Sequence, residues 1–204
     1  MNLVERAKNI LITPKTEWEV IKNEQTTTAD LFTKYAMILA LIPVVATIIG
    51  FSLVGVSYGF GISFKRPISS SLIYGITSYA LGLVGVYVVA LIIDALAPSF
   101  GSTKNMDASL KVVIYSYTAS YVAGIFMIIP VLSILALLVG LYSFYLMYLG
   151  LKIVKETPQD KVAGYLVVTI IIVIVLYLVI GFIVNAIAAP SIGLDGLENF
   201  DFGN

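Results

Sequence analysis

Long uncharged runs separated by short polar stretches give this chain its pattern. Val112 to Ile129 is an uncharged run of 18 residues and Val131 to Leu151 one of 21. As helices they would reach about 27 and 32 Å, close to the hydrocarbon thickness of a bilayer. Pro130 alone divides them, and proline removes a backbone donor and clashes with the preceding turn. One continuous kinked helix would be about 63 Å long, roughly twice the bilayer. The segment Lys111 to Lys155 is therefore read as a hairpin of two spanning helices.

Three further spans follow from the same pattern: 31–56, 68–96 and 162–189, with the hairpin spans at 112–129 and 131–151. The first contains Pro43 and has Lys34 near its start, where the ammonium can snorkel to the interface. The last is apolar nearly all round, and its length calls for tilt or an extension above the core. Ser57 to Pro67 reads as a short glycine-rich loop, and 190–204 as a loose acidic tail. The expected fold class is all-α, a polytopic bundle of five transmembrane helices, residues 31–189, preceded by short amphipathic surface helices in 1–30. In that leading segment Val4, Ala7, Leu11, Val20 and Ile21 are patterned for two helices separated at Thr13 and Pro14, with Trp18 suited to the headgroup level.

Small residues mark how the spans pack. Ser71, Gly75, Ser78, Gly82 and Gly85 recur at four and three residues, a seam against which another helix could lie nearly backbone to backbone. Ser116, Ser120 and Gly124 form a stripe on the first hairpin helix, and Gly140, Ser143, Met147 and Gly150 one on the second. Such seams serve contacts within one chain or between two copies, so a homo-oligomer stays open. Tyr145, Tyr148 and Lys152 share a face, either a hydroxyl-lined contact site or an aromatic belt with a snorkelling lysine.

Composition narrows the chemistry. The chain has 59% hydrophobic and 12% charged residues, a formal charge of +0, no cysteine and no histidine. Thiolate and imidazole chemistry and the usual zinc and haem ligand sets are excluded, and no cofactor or catalytic residue is expected. Neutral overall charge gives no basis for a nucleic-acid partner; the lipid bilayer is the expected environment. Asp94 is the carboxylate with apolar sequence on both sides, so it is either a functional ionisable group or a loop-ordering residue at the water boundary. Thr157, Pro158 and Asp160 read as a helix start, with threonine as the cap.

Charge distribution gives an orientation. Arg6, Lys8, Lys15, Lys22, Lys34, Lys104, Lys111, Lys152, Lys155 and Lys161 fall on one side of a five-span topology, Lys65 and Arg66 on the other. Cationic loops are retained in the cytoplasm, so the N-terminus is expected inside and the acidic C-terminus outside.

The succession IIDALAPSFGSTKNMDASLKVVIYSYTASYVAGIF, IIP and LYSFYLMYLGLKIVKETPQDKVAGYLVV resembles the Yip domain, a family of five-span membrane proteins named for Ypt/Rab-interacting proteins. TPKTEWEVIK is similar to the N-terminal turn of its prokaryotic branch. The resemblance is most specific at Tyr115, Tyr117, Pro130, Tyr142, Tyr145, Tyr148, Gly150 and Pro158. It departs at Ala119, where proline would follow YSYT, and at Tyr121 in place of tryptophan. The resemblance implies a non-enzymatic adaptor or organiser of membrane partners at the cytoplasmic face, of a trafficking type in eukaryotes. The alternative is a small transporter or channel using Asp94 and tyrosine hydroxyls.

Overall fold

The structure is a computed structural model describing residues 2–59, 62–189 and 200–202, with the backbone alone at 56–59, 62–63 and 200–202. Two short helices, α1 (Leu3–Ile12) and α2 (Pro14–Asn23), precede the bundle. Five helices long and apolar enough to cross a bilayer follow: α3 (Thr28–Val54), α4 (Ile68–Phe100), α5 (Met106–Ile128), α6 (Pro130–Ile153) and α7 (Val162–Ala188). The all-helical bundle expected from the sequence is thus the observed architecture.

Polar side chains start three of these helices. Asn2 accepts from the Val4 amide at 3.0 Å and opens α1, Thr27 accepts from Asp30 at 3.1 Å and opens α3, and Asn105 accepts from Ala108 at 3.0 Å and opens α5. Each satisfies an amide that has no partner in the first helical turn. Thr13 takes the cap position before Pro14, yet its hydroxyl donates backward to the Asn9 carbonyl. Helix α4 closes through a turn of 3-10 helix at Ala97–Phe100 and a left-handed Gly101, φ 72°.

Helix α5 is the centre of the bundle: 61% of its apolar window is buried inside the protein, against 17% for α7. It packs on α3, α4 and α6, while α4 also contacts α3 and α7. The outer faces remain apolar, as at Leu178 and Phe182 of α7, and suit contact with lipid. The chain reverses at Ile129 and Pro130. Ile129 is extended, the conformation imposed on a residue before proline, and short 3-10 segments flank the bend.

Several expectations are corrected. Helix α5 begins at Met106 rather than at 112, because Asn105 and Asp107 make NMDAS a helix start and Lys111 is buried within the helix. It is interrupted at Tyr117 although no proline follows Thr118. The segment read as a glycine-rich loop contains β1 (Val56–Gly59) and β2 (Ile62–Phe64), paired antiparallel. Part of the expected loose tail forms β3 (Phe200–Phe202), which pairs antiparallel with β2; residues 190–199 and 203–204 lie outside the described residues.

The small-residue seam of α4 does not meet one helix. A methyl group at Gly75 would strike Ile48 of α3 at 2.7 Å, and one at Gly85 would strike Ile180 of α7 at 2.9 Å, but one at Gly82 would meet nothing within 4 Å. Neighbours on two sides diverge around the middle of the stripe and leave Gly82 open. Ser71 is buried beside Ser70, at the start of the helix. Tighter approaches lie elsewhere: a methyl at Gly50 would strike the Met127 carbonyl oxygen, and one at Gly124 would sit 2.5 Å from Pro43 Cβ.

Candidate functional site

The polar chemistry collects at the end of the bundle where α1 and α2 sit, here called the basal end. Its floor is the first three turns of α5. Asp94, near the end of α4, uses Oδ1 to accept from the Asn105 amide at 2.6 Å, the Ser109 hydroxyl at 3.2 Å and the Lys155 ammonium at 3.2 Å. Lys155 also donates to the Thr103 and Asn105 carbonyls at 2.9 and 3.2 Å. Asp94 therefore orders the α4–α5 connection and ties it to the end of α6. The Lys155 side chain is 1% exposed, and burial lowers its pKa more than the Asp94 carboxylate raises it.

A second network holds the N-terminal helices. Arg6 is buried and pairs with Glu17 at 2.6 Å and with Glu24, while its guanidinium lies 5.3 Å from the Tyr115 ring centre. Lys111 donates to the Ile21 carbonyl at 3.1 Å and to the Glu24 carbonyl. An ammonium thus caps the C-terminal end of α2, where carbonyls lack helical partners. Tyr142 donates to the Leu11 carbonyl at 3.1 Å, and Tyr35 and Thr118 share a hydrogen bond of 2.8 Å beneath Tyr115.

Trp18 is fully buried, which corrects its expected place at the headgroup level. Its ring meets Tyr115 edge-on at 6.3 Å and rests against Gly150. Glycine is needed there, since a methyl group would lie 3.0 Å from two Trp18 ring carbons. Ala7, Ile10, Trp18 and Ile21 therefore face protein, whereas Val4 and Val20 of the expected stripes stay exposed. Between the two networks lies a polar cavity of about 290 Å³ lined by Lys22, Asn105, Asp107, Lys111, Lys155 and Glu156. Lys22 and Glu156 pair across its rim at 2.6 Å, which raises the pKa of Lys22 and lowers that of Glu156.

A second cavity, about 250 Å³, sits among the spans, with Pro43, Tyr74, Ser78, Gly82, Tyr121 and Tyr177 in its wall. Asp94 is not among its lining residues. Tyr115 and Tyr117 are buried on α5, whereas Tyr145 is 42% exposed on α6. The Tyr148 hydroxyl accepts from Gln159 at 3.0 Å, and Lys152 is exposed. Ser116 is buried, and Ser120 and Ser143 share a 2.8 Å hydrogen bond beside Gly140, locking the hairpin helices together. Thr157 is not a cap: its hydroxyl bonds to Ser102 at 2.7 Å, α7 starts at Val162, and Pro158 packs on Gly101.

Sequence reasoning missed Arg6, Glu17, Lys111 and Lys155. Arg6 and Glu17 each lie four residues before a buried isoleucine, Ile10 and Ile21, on the inner stripe of their helices. A charge on an apolar stripe was the available signal for both.

Comparison with known proteins agrees with this architecture. The Yip1 domain model matches residues 8–183. The Inner membrane protein YohC of Escherichia coli K12 is 27% identical over 170 residues, covering 80% of this chain and 87% of that protein. The same figures hold for the YohC of Escherichia coli O6:H1 strain CFT073. No solved structure matches the chain. With the family's domain spanning nearly all of the five-helix bundle and its N-terminal helices, this chain is a multi-pass membrane protein that belongs to the Yip1 domain family.

Proposed function

We propose that this protein is a non-enzymatic organiser in the inner membrane, presenting α1 and α2 on the cytoplasmic side to protein partners. The orientation follows from the distribution of cations, ten on the N-terminal side of the topology against two beyond it. The relative named an inner membrane protein supports the location. One observation carries the recruiting role: buried Arg6, Glu17 and Trp18 anchor the inner face of the helical pair, while Val4, Glu5, Lys8, Ile12 and Val20 remain exposed on its outer face. A fixed amphipathic surface can engage another protein, including a second copy, without first having to order itself. A trafficking-type role is one form of this reading.

Crosslinking in the native membrane tests it, comparing the intact chain with the charge-reversed variant Glu5→Lys/Lys8→Glu. Both substitutions leave the anchoring residues in place. Partners captured by the intact chain and lost from the variant support recruitment; an identical catch from both, or none reproducibly from either, overturns it.

A second reading is transport, favoured by the cavity around Gly82 within the spans. Asp94 has no place in that path, so the discriminating variant is Gly82→Leu, which would fill the cavity. Solute flux through reconstituted protein that falls in this variant favours transport, and flux absent for every solute tried counts against it.

A further inference from the structure

A groove between α2 and the end of α6 is used by neither reading. Lys15, Thr16 and Glu19 form one wall, Leu149, Lys152 and Ile153 the other, and the space between them is about 550 Å³. Its two cations are both unpaired among the described residues. Arg6, Lys22, Lys34 and Lys155 pair with carboxylates, and Lys111 is held by carbonyls. Among the described residues, Lys15 and Lys152 have no such partner, and neither do Lys8, Lys65, Lys104 and Lys161; what sets Lys15 and Lys152 apart is that they line one groove.

Along α6 next to the groove runs an exposed apolar stripe. Ile134, Leu138, Leu141 and Tyr145 are 56%, 56%, 50% and 42% exposed. They recur at offsets of four, three and four; Leu149, next in that series, is buried, and Lys152 beyond it is exposed. On a spanning helix a face not covered by protein is met by acyl chains. The 24 residues of α6 match the thickness of a bilayer, so its last turn, at the basal end, is expected at headgroup depth. Two ammonium groups from different elements flank that end, with apolar surface directly below.

We propose that this groove binds an anionic glycerophospholipid, with its acyl chains along the α6 stripe and its phosphodiester between Lys15 and Lys152. Glu19 on the rim leaves the groove with about one net positive charge, which matches a singly charged headgroup better than a multiply phosphorylated one. Because Lys15 belongs to α2 and Lys152 to α6, the bound lipid bridges the surface helix to the bundle. It adds a lipid-dependent hold to the protein contacts of Trp18 and Lys111.

The test uses the full chain in nanodiscs of phosphatidylcholine with and without phosphatidylglycerol, followed by native mass spectrometry for retained lipid and amide exchange across α2. Phosphatidylglycerol is expected to be retained in preference to phosphatidylcholine and to slow exchange in α2. Lys15→Gln or Lys152→Gln is expected to lower that retention about fivefold. Lys161→Gln removes a charge from the same end outside the groove and is expected to leave retention unchanged. An equal loss in Lys161→Gln would reveal diffuse attraction, and equal retention of the two lipids would show no anion preference; either overturns the site. In detergent, inorganic phosphate that slows α2 exchange as much as phosphatidylglycerol would overturn the lipid assignment in favour of a free-anion site.

Discussion

Gly150 and Trp18 fit together so closely that a single methyl group added to the glycine would lie 3.0 Å from Trp18 Cη2 and Cζ2. Val112 closes the other side at 3.2 Å, so the added carbon has no direction in which to relax cheaply. Gly150→Ala is expected to lose about 1–3 kcal/mol of stability through overpacking. Trp18 is the only tryptophan, so its fluorescence reports the event directly. The variant should show red-shifted emission and a lower melting temperature in detergent.

Lys111→Met keeps the stem and removes the donor from the Ile21 and Glu24 carbonyls. Leaving buried backbone acceptors unpaired costs about 1–3 kcal/mol. Amide exchange should accelerate in the last turn of α2 and leave α7 unchanged. Equal exchange in α2 for the two proteins would show that the ammonium does not hold that helix end.

Asp94→Asn breaks a pair whose lysine is buried. Removing one member of such a pair costs about 3–5 kcal/mol when both are enclosed, and the 19% exposure of Asp94 places this case at the low end. Lys155→Met added to Asp94→Asn should recover part of the loss, because no buried charge remains. A double variant no more stable than Asp94→Asn alone would contradict that account.

The depressed pKa of Lys155 carries a sign. In the alkaline range just below the ordinary lysine value, the folded protein binds fewer protons at this site than the unfolded chain does. Stability therefore gains from this group as pH rises from its folded pKa toward the unfolded one. Relative to the intact protein, Lys155→Met should lack that gain in denaturation measured across the window.

Gly82 and Gly124 should respond in opposite ways. Gly82→Ala enters open space and is expected to change stability by less than about 0.5 kcal/mol. Gly124→Ala drives a carbon against the Pro43 backbone, 2.7 Å from its Cα, and is expected to cost about 1–3 kcal/mol. Matching melting temperatures for the two variants would contradict the packing described here.

The spans were legible because a bilayer imposes a length and an apolar composition on any helix that crosses it, and Pro130 imposes a bend. The basal site was less legible for a physical reason. Lys111 immediately precedes an uncharged run and so resembles a helix boundary, yet its ammonium reaches carbonyls that come from a segment far earlier, a separation of 90 for Ile21. Trp18 likewise satisfies the pattern of an interfacial anchor, and only the hollow at Gly150 distinguishes a core residue from a surface one. Gly82 shows the converse: regular spacing of small residues permits close packing and cannot say whether a neighbour fills the space.

The site that receives the N-terminal helices is made from residues that emerge far later in synthesis. Leu11, for example, meets Tyr142 across 131 residues of sequence. The α1–α2 segment must consequently wait, undocked, until α5 and α6 have been formed. Until then its inner faces, with Trp18 among them, lack the α5 and α6 surfaces that bury them.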